Sequence, residues 1–136
     1  MRISTWMFGL LLGCSGAIDG GTATFPQSAY STTQTMGGDY DIALRSSPAQ
    51  PPTRGEMELL LSVTNAATSQ AVDGLQLTVV PWMPAMGHGS SMTPVVTPRG
   101  DGDYLVTNVV LAMPGTWQIN VTGVAGCTTT IPLEVE

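Results

Sequence analysis

Between Pro81 and Met92 the chain reads Pro-Trp-Met-Pro-Ala-Met-Gly-His-Gly-Ser-Ser-Met, a segment holding three of the eight methionines and the only histidine. Thioethers are soft ligands that favour Cu(I), and a neutral imidazole also suits copper. Met83, Met86, His88 and Met92 are therefore candidate metal ligands. Met113, within Ala112-Met113-Pro114-Gly115, is a fifth donor that a neighbouring loop would supply. Gly87 and Gly89 flank the histidine and let the backbone fold donors inward. Pro81 and Pro84 stiffen the approach and lower the entropy lost in arranging it. A second reading stands beside this one. Methionine adapts to irregular gaps, so the same segment serves as a cap on the open end of a β-sandwich with Trp82 packed; on a rival reading, Trp82 and the Met-rich loop dock a protein partner. Spacing alone does not separate the two, although exposed methionine outside the cytosol is prone to oxidation and is a poor idle choice there.

Other chemistry finds little support. There is one histidine and no lysine, and no local motif marks a Ser-His-Asp or Cys-His arrangement, so a non-enzymatic protein is expected. Asp101 and Asp103 lack the alternating oxygen donors of a calcium loop and read as turn residues.

The first fourteen residues, Met-Arg-Ile-Ser-Thr-Trp-Met-Phe-Gly-Leu-Leu-Leu-Gly-Cys, give one positive charge, a short apolar run and a small residue, the order of an export signal. The run is far below the roughly 20 residues that span a bilayer. Leu11-Leu12-Gly13-Cys14 resembles the lipobox of bacterial lipoproteins, which implies a signal peptide over 1–13 and a lipid on Cys14 as the new N-terminus. Ser15 stands where an inner-membrane retention signal would place aspartate, so the resemblance implies an outer-membrane anchor facing the periplasm. With Cys14 acylated, Cys127 has no partner within the chain, and burial is the leading expectation for an unpaired cysteine.

Loss of Arg2 with the signal leaves three basic against ten acidic residues, a charge of about −7. Such a surface has no footprint for nucleic acid. Charged residues are 10 % of the chain, against about 25 % in an average domain. Ser, Thr, Gly and Pro replace them, as suits short strands joined by tight turns. Residues 14–38 have linker composition and are expected to form a flexible tether of mean span about 25–30 Å.

From Asp39 the pattern turns to period two, and 39–136 is expected to be one domain. Strands are expected near 39–44, 56–64, 75–79, 93–97, 104–111, 116–124 and 128–135, with Pro94 and Pro98 confining the fourth to a sheet edge. Nothing reads as a helix. About seven short strands predict an all-β, immunoglobulin-like β-sandwich with Trp117 in its core; a small barrel is the competing architecture.

Met83-Pro84-Ala85-Met86-Gly87-His88, Gly102-Asp103-Tyr104 and Met113-Pro114-Gly115-Thr116-Trp117 together resemble the YtkA-like, FixH-related domain family over roughly residues 55–136. The resemblance implies an exported or membrane-attached immunoglobulin-like sandwich, found in some cases near copper handling or cytochrome oxidase assembly. FixH-like members carry a membrane helix, whereas this chain has a lipobox.

Overall fold

The structure, a computed structural model, describes residues 24–124 and 126–136. The expected export signal over 1–13 and Cys14 lie outside the described residues. The described residues form nine strands: β1 (Ser31–Gln34), β2 (Tyr40–Ser47), β3 (Gly55–Asn65), β4 (Thr78–Met83), β5 (His88–Gly89), β6 (Val95–Gly100), β7 (Asp103–Leu111), β8 (Gly115–Val124) and β9 (Cys127–Val135). All strand pairs are antiparallel, and no described residue is helical. One sheet runs β1-β2-β3-β7-β6 and the other β5-β4-β8-β9. Without β1 and β5 this is the four-plus-three strand order of a constant-type immunoglobulin sandwich, with β5 added beside β4.

The alternation expected for the second strand is met residue for residue: Met57, Leu59, Leu61 and Val63 of β3 are all buried. They face Trp117, Ile119 and Val121 of β8 and Ile131 and Leu133 of β9 within one core. On β7 the inward positions change phase, from Tyr104 and Val106 to Val109 and Leu111. The register against β3 slips at the same place, and Asn108 takes a φ of 60° there. A β-bulge thus inserts one residue and returns valine to the core; asparagine tolerates that backbone better than most residues.

Three boundaries differ from the sequence expectation. The tether does not extend to residue 38, because Ser31–Gln34 pairs with Gln34↔Asp41 through Ser31↔Leu44 of β2. Residues ahead of β1 are also tied down: the Tyr30 amide donates to the Leu44 carbonyl at 2.7 Å, and Arg45 donates to the Gln27 carbonyl. The strand Ser-Thr-Thr-Gln has no apolar residue to mark it, and only pairing with β2 makes it a strand. The 75–79 strand starts later, at Thr78, and extends through Met83. The 81–92 loop is in part a hairpin of β4 and β5. Cys127 also departs from expectation, being exposed. It lies at the start of β9, and the buried row of that strand begins two residues on, at Thr129.

Edge positions are guarded against pairing with other chains. Pro98 lies in β6, Pro132 in β9 and Pro81 in β4, each in a strand at or next to a sheet edge, where a missing N–H is tolerated. The Glu134 amide of β9 is covered by the Tyr30 hydroxyl at 3.2 Å.

Tyr104 fastens the long β3–β4 connection to the core. Its ring is buried, its hydroxyl donates to the Val72 carbonyl at 2.8 Å, and it accepts from the Leu75 amide at 3.1 Å. Tyr104→Phe keeps the ring and strands both backbone groups, so a loss of about 1–3 kcal/mol is expected. Urea denaturation measures it; a loss below about 0.5 kcal/mol would show that water replaces both bonds.

Candidate functional site

Met83 ends β4 and His88 opens β5, and the two are direct partners across the ladder. Side chains of opposed residues leave a sheet on the same face. Met83 is buried, so His88 stands on the inward side too, at the open end of the sandwich where the second strand of the pair is only two residues long. The turn between them, Pro84-Ala85-Met86-Gly87, closes through donation by the Met86 and Gly87 amides to the Met83 carbonyl, at 3.2 and 2.9 Å. Gly87 takes a φ of 68°, a conformation that glycine reaches without strain. Gly89 is required for another reason: a Cβ there would lie 2.9 Å from the Pro81 carbonyl oxygen.

The Nδ1 of His88 lies 3.1 Å from the Gly89 carbonyl oxygen. A carbonyl can only accept, so a neutral ring making this bond carries its proton on Nδ1 and presents Nε2 as the basic nitrogen. Metal-ligating histidines are commonly oriented in this way. The ring meets Trp117 edge-on, with centroids 6.4 Å apart and planes at 70°.

Trp117 connects this hairpin to the β7–β8 turn. Its indole is fully buried, and Nε1 donates to the Met113 carbonyl at 2.9 Å, which pins the turn beneath the hairpin. Met113 packs half-buried against the core. The Met83 methyl reaches the same turn, since a Cβ on Gly115 would lie 2.9 Å from Met83 Cε. Met83, the His88 ring and the backbone of Met113 are therefore gathered near Trp117 and the start of β8, with Met86 exposed on the turn between Met83 and His88. Among the described residues no three His, Cys, Asp or Glu side chains gather as a metal-holding group.

Met92 has a different setting. It lines a cleft of about 380 Å³ along β4 together with Val80, Trp82, Pro94 and Val96. β5 pairs only with Trp82 and Met83, so Thr78–Pro81 has no strand on that side among the described residues. Val80, Trp82 and Met92 are all exposed large apolar residues, and Val95 beside them is another. Cys14 lies outside the described residues.

Sequence reasoning placed Trp117 in the core and missed its contact with His88. A signal was present in the four-residue spacing of Met113 and Trp117, which suits a side chain returning to the backbone of its own turn. The cleft beside Trp82 had no such signal, because it forms between strands of different sheets.

An all-β sandwich of two antiparallel sheets, of five and four strands, is the class of protein that the fold defines. The chain belongs to the YtkA-like family, whose model matches residues 35–122, more than half of its length. The matched stretch begins earlier and ends earlier than the resemblance seen in the sequence, and it includes Met83, Met86, His88, Met92 and Met113. No curated protein and no solved structure matches the chain.

Proposed function

We propose that this YtkA-like domain is a non-enzymatic module of the cell envelope that holds copper transiently at the corner formed by Met83, His88 and Met113, with Met86 closing over it. The observation that carries the reading is the His88 ring, oriented by its Nδ1 contact with the Gly89 carbonyl and standing opposite Met83 across the ladder. Soft neutral donors suit Cu(I), and an exposed histidine beside a buried thioether suits an ion that is taken up and passed on. The full-length protein, carrying Cys127→Ser to remove a competing thiol, is titrated anaerobically with Cu(I) against a chromogenic chelator. Met83→Leu, His88→Ala and Met113→Leu together are expected to weaken binding by about 10–100-fold or more, the scale that even outer-shell changes reach at metal sites. Leucine nearly conserves the volume of methionine, so the fold should persist. Equal competition by the two proteins would end the copper reading.

The envelope setting rests on the lipobox-like Leu11-Leu12-Gly13-Cys14, which supports a lipid anchor on Cys14, attachment to the outer membrane and a domain facing the periplasm. On this reading Cys14→Ser moves the protein from the membrane to the soluble fraction of lysed cells. Unchanged partition would remove the lipid anchor from the proposal.

A second reading, a protein-interaction module without metal, is favoured by one observation: Trp82, Val80 and Met92 together line an open apolar cleft. It predicts that a cross-linked complex formed in intact envelopes is lost on Trp82→Ser with Met92→Ser, while Cu(I) binding is unchanged. Persistence of the complex would exclude the cleft as its seat.

A further inference from the structure

We infer that the outer face of the four-stranded sheet binds a neutral glycan, a chain of N-acetylhexosamine units, with Trp82 as the stacking platform and the Gln118 and Asn120 amides as polar contacts. The inference does not rest on the copper reading and uses a different face of the molecule.

Register sets that face. On β4 exposed positions alternate with buried ones, so Thr78, Val80 and Trp82 point outward. Trp82 is opposed by Gln118 of β8, and Gln118 by Pro132 of β9. Val80, Asn120 and Thr130 form the next row, and the row beyond it is threonine in all three strands. Opposed residues leave a sheet on one side, so these rows make one surface of hydroxyls and amides with an indole and a proline at one end. In β4, β8 and β9 only Glu134 is charged, and it already accepts from Thr116 Oγ1 at 2.7 Å. The other sheet carries charges in β2, β3, β6 and β7. The chain ahead of β1 lies against that sheet: Arg45 Nη2 donates to the Gln27 carbonyl at 3.0 Å, and Phe25 and Leu60 line one hollow. Among the described residues the nearly uncharged face is thus the one left open.

Chemistry then selects the ligand. Trp82 is 38 % exposed although its indole rests on the strand beside it, with Cε3 3.5 Å from where a Cβ of Gly89 would stand. A glycine opposite the ring makes room for it and turns it into a supported apolar platform. Gln118 stands next to it, and its amide, with two donors and an acceptor, has no hydrogen-bond partner among the described residues. Asn120 Oδ1 accepts from Thr130 Oγ1 at 2.8 Å, which leaves its two amide hydrogens for a ligand. A pyranose offers the matching surfaces: a face of C–H bonds that packs on an indole, and an edge of hydroxyls that both donate and accept. An acetamido group adds an amide for Gln118 and a methyl for the apolar cleft that begins at Val80, Trp82 and Met92. An anionic chain would meet a protein of net charge −6 and find no lysine or arginine in β4, β8 or β9.

The test is calorimetric titration of the full-length protein with the β-linked hexasaccharide of N-acetylglucosamine, beside the β-linked hexasaccharide of glucose and a polyuronate of equal length. The N-acetylglucosamine chain is expected to bind about 10-fold or more tighter than the glucose chain, the scale on which a site built for an amide rejects a ligand lacking it, and the polyuronate not at all. Trp82→Ala is expected to weaken binding about 10–100-fold, and Gln118→Ala about 3–10-fold. Both side chains point outward, so neither change opens the core. Gln118 does not line the cleft, so loss of binding in Gln118→Ala separates this face from the cleft of the protein-interaction reading. Undiminished binding in both variants would overturn the assignment to this face. Equal binding of the glucose chain would overturn the acetamido preference, and binding of the polyuronate the preference for a neutral ligand. Absence of binding by the N-acetylglucosamine chain would overturn the whole inference and leave the copper reading as it stands.

Discussion

A buried indole must find an acceptor for its N–H, and the way Trp117 meets that demand organises one end of this molecule. The ring is packed between the sheets, so water is not available to it, and an unpaired N–H there would be costly. The acceptor is the Met113 carbonyl, four residues back in the chain. That bond draws the β7–β8 turn over the ring. Met113 and Gly115 are then placed under β4, where the Met83 methyl reaches the glycine. His88, opposed to Met83 across a two-residue strand, completes the corner by resting its ring edge-on against the same indole. The position of the turn that carries Met113 is therefore set by the satisfaction of one buried polar atom.

The rest of the sandwich isolates this end. Prolines in β4, β6 and β9 and the four-residue length of β1 leave little edge for pairing with another chain. At the opposite end, Tyr104 anchors the Val72–Leu75 connection, and the Asp73 carboxylate accepts from the Gly102 amide at 2.8 Å. Those bonds join the β3–β4 connection to the β6–β7 turn. What stays open is the β4–β5 hairpin, with exposed Met86 on its turn, and the apolar cleft running from Trp82 along β4.

Much of the fold was legible because half-buried strands write themselves as alternation. Met57 to Val63, Trp117 to Val121 and Ile131 to Val135 show it without interruption, and each lies in the core. Where alternation is weak or broken, reading failed in proportion. Ser31–Gln34 is polar throughout and reads as tether. Asn108 hides a bulge, since a change of phase looks the same as an irregular strand. Cys127 was expected inside on the strength of its residue type, yet the core ends at Thr129 and leaves it exposed.

Residue types, the motif spacing around Met83, His88 and Met113, and the run of turn signals were enough to define an all-β sandwich of the YtkA-like family and to nominate the donors, because donor chemistry and strand period are local properties. Which candidate residues lie near one another was decided by tertiary structure alone. Met92 is closer to His88 in sequence than Met113 is, yet Met92 lines the cleft beside Trp82 while the Met113 carbonyl is bonded to Trp117, whose ring meets that of His88. The reason is physical. Sheet register and the placement of a buried indole set distances across the fold, and neither is written in the spacing of residues along the chain.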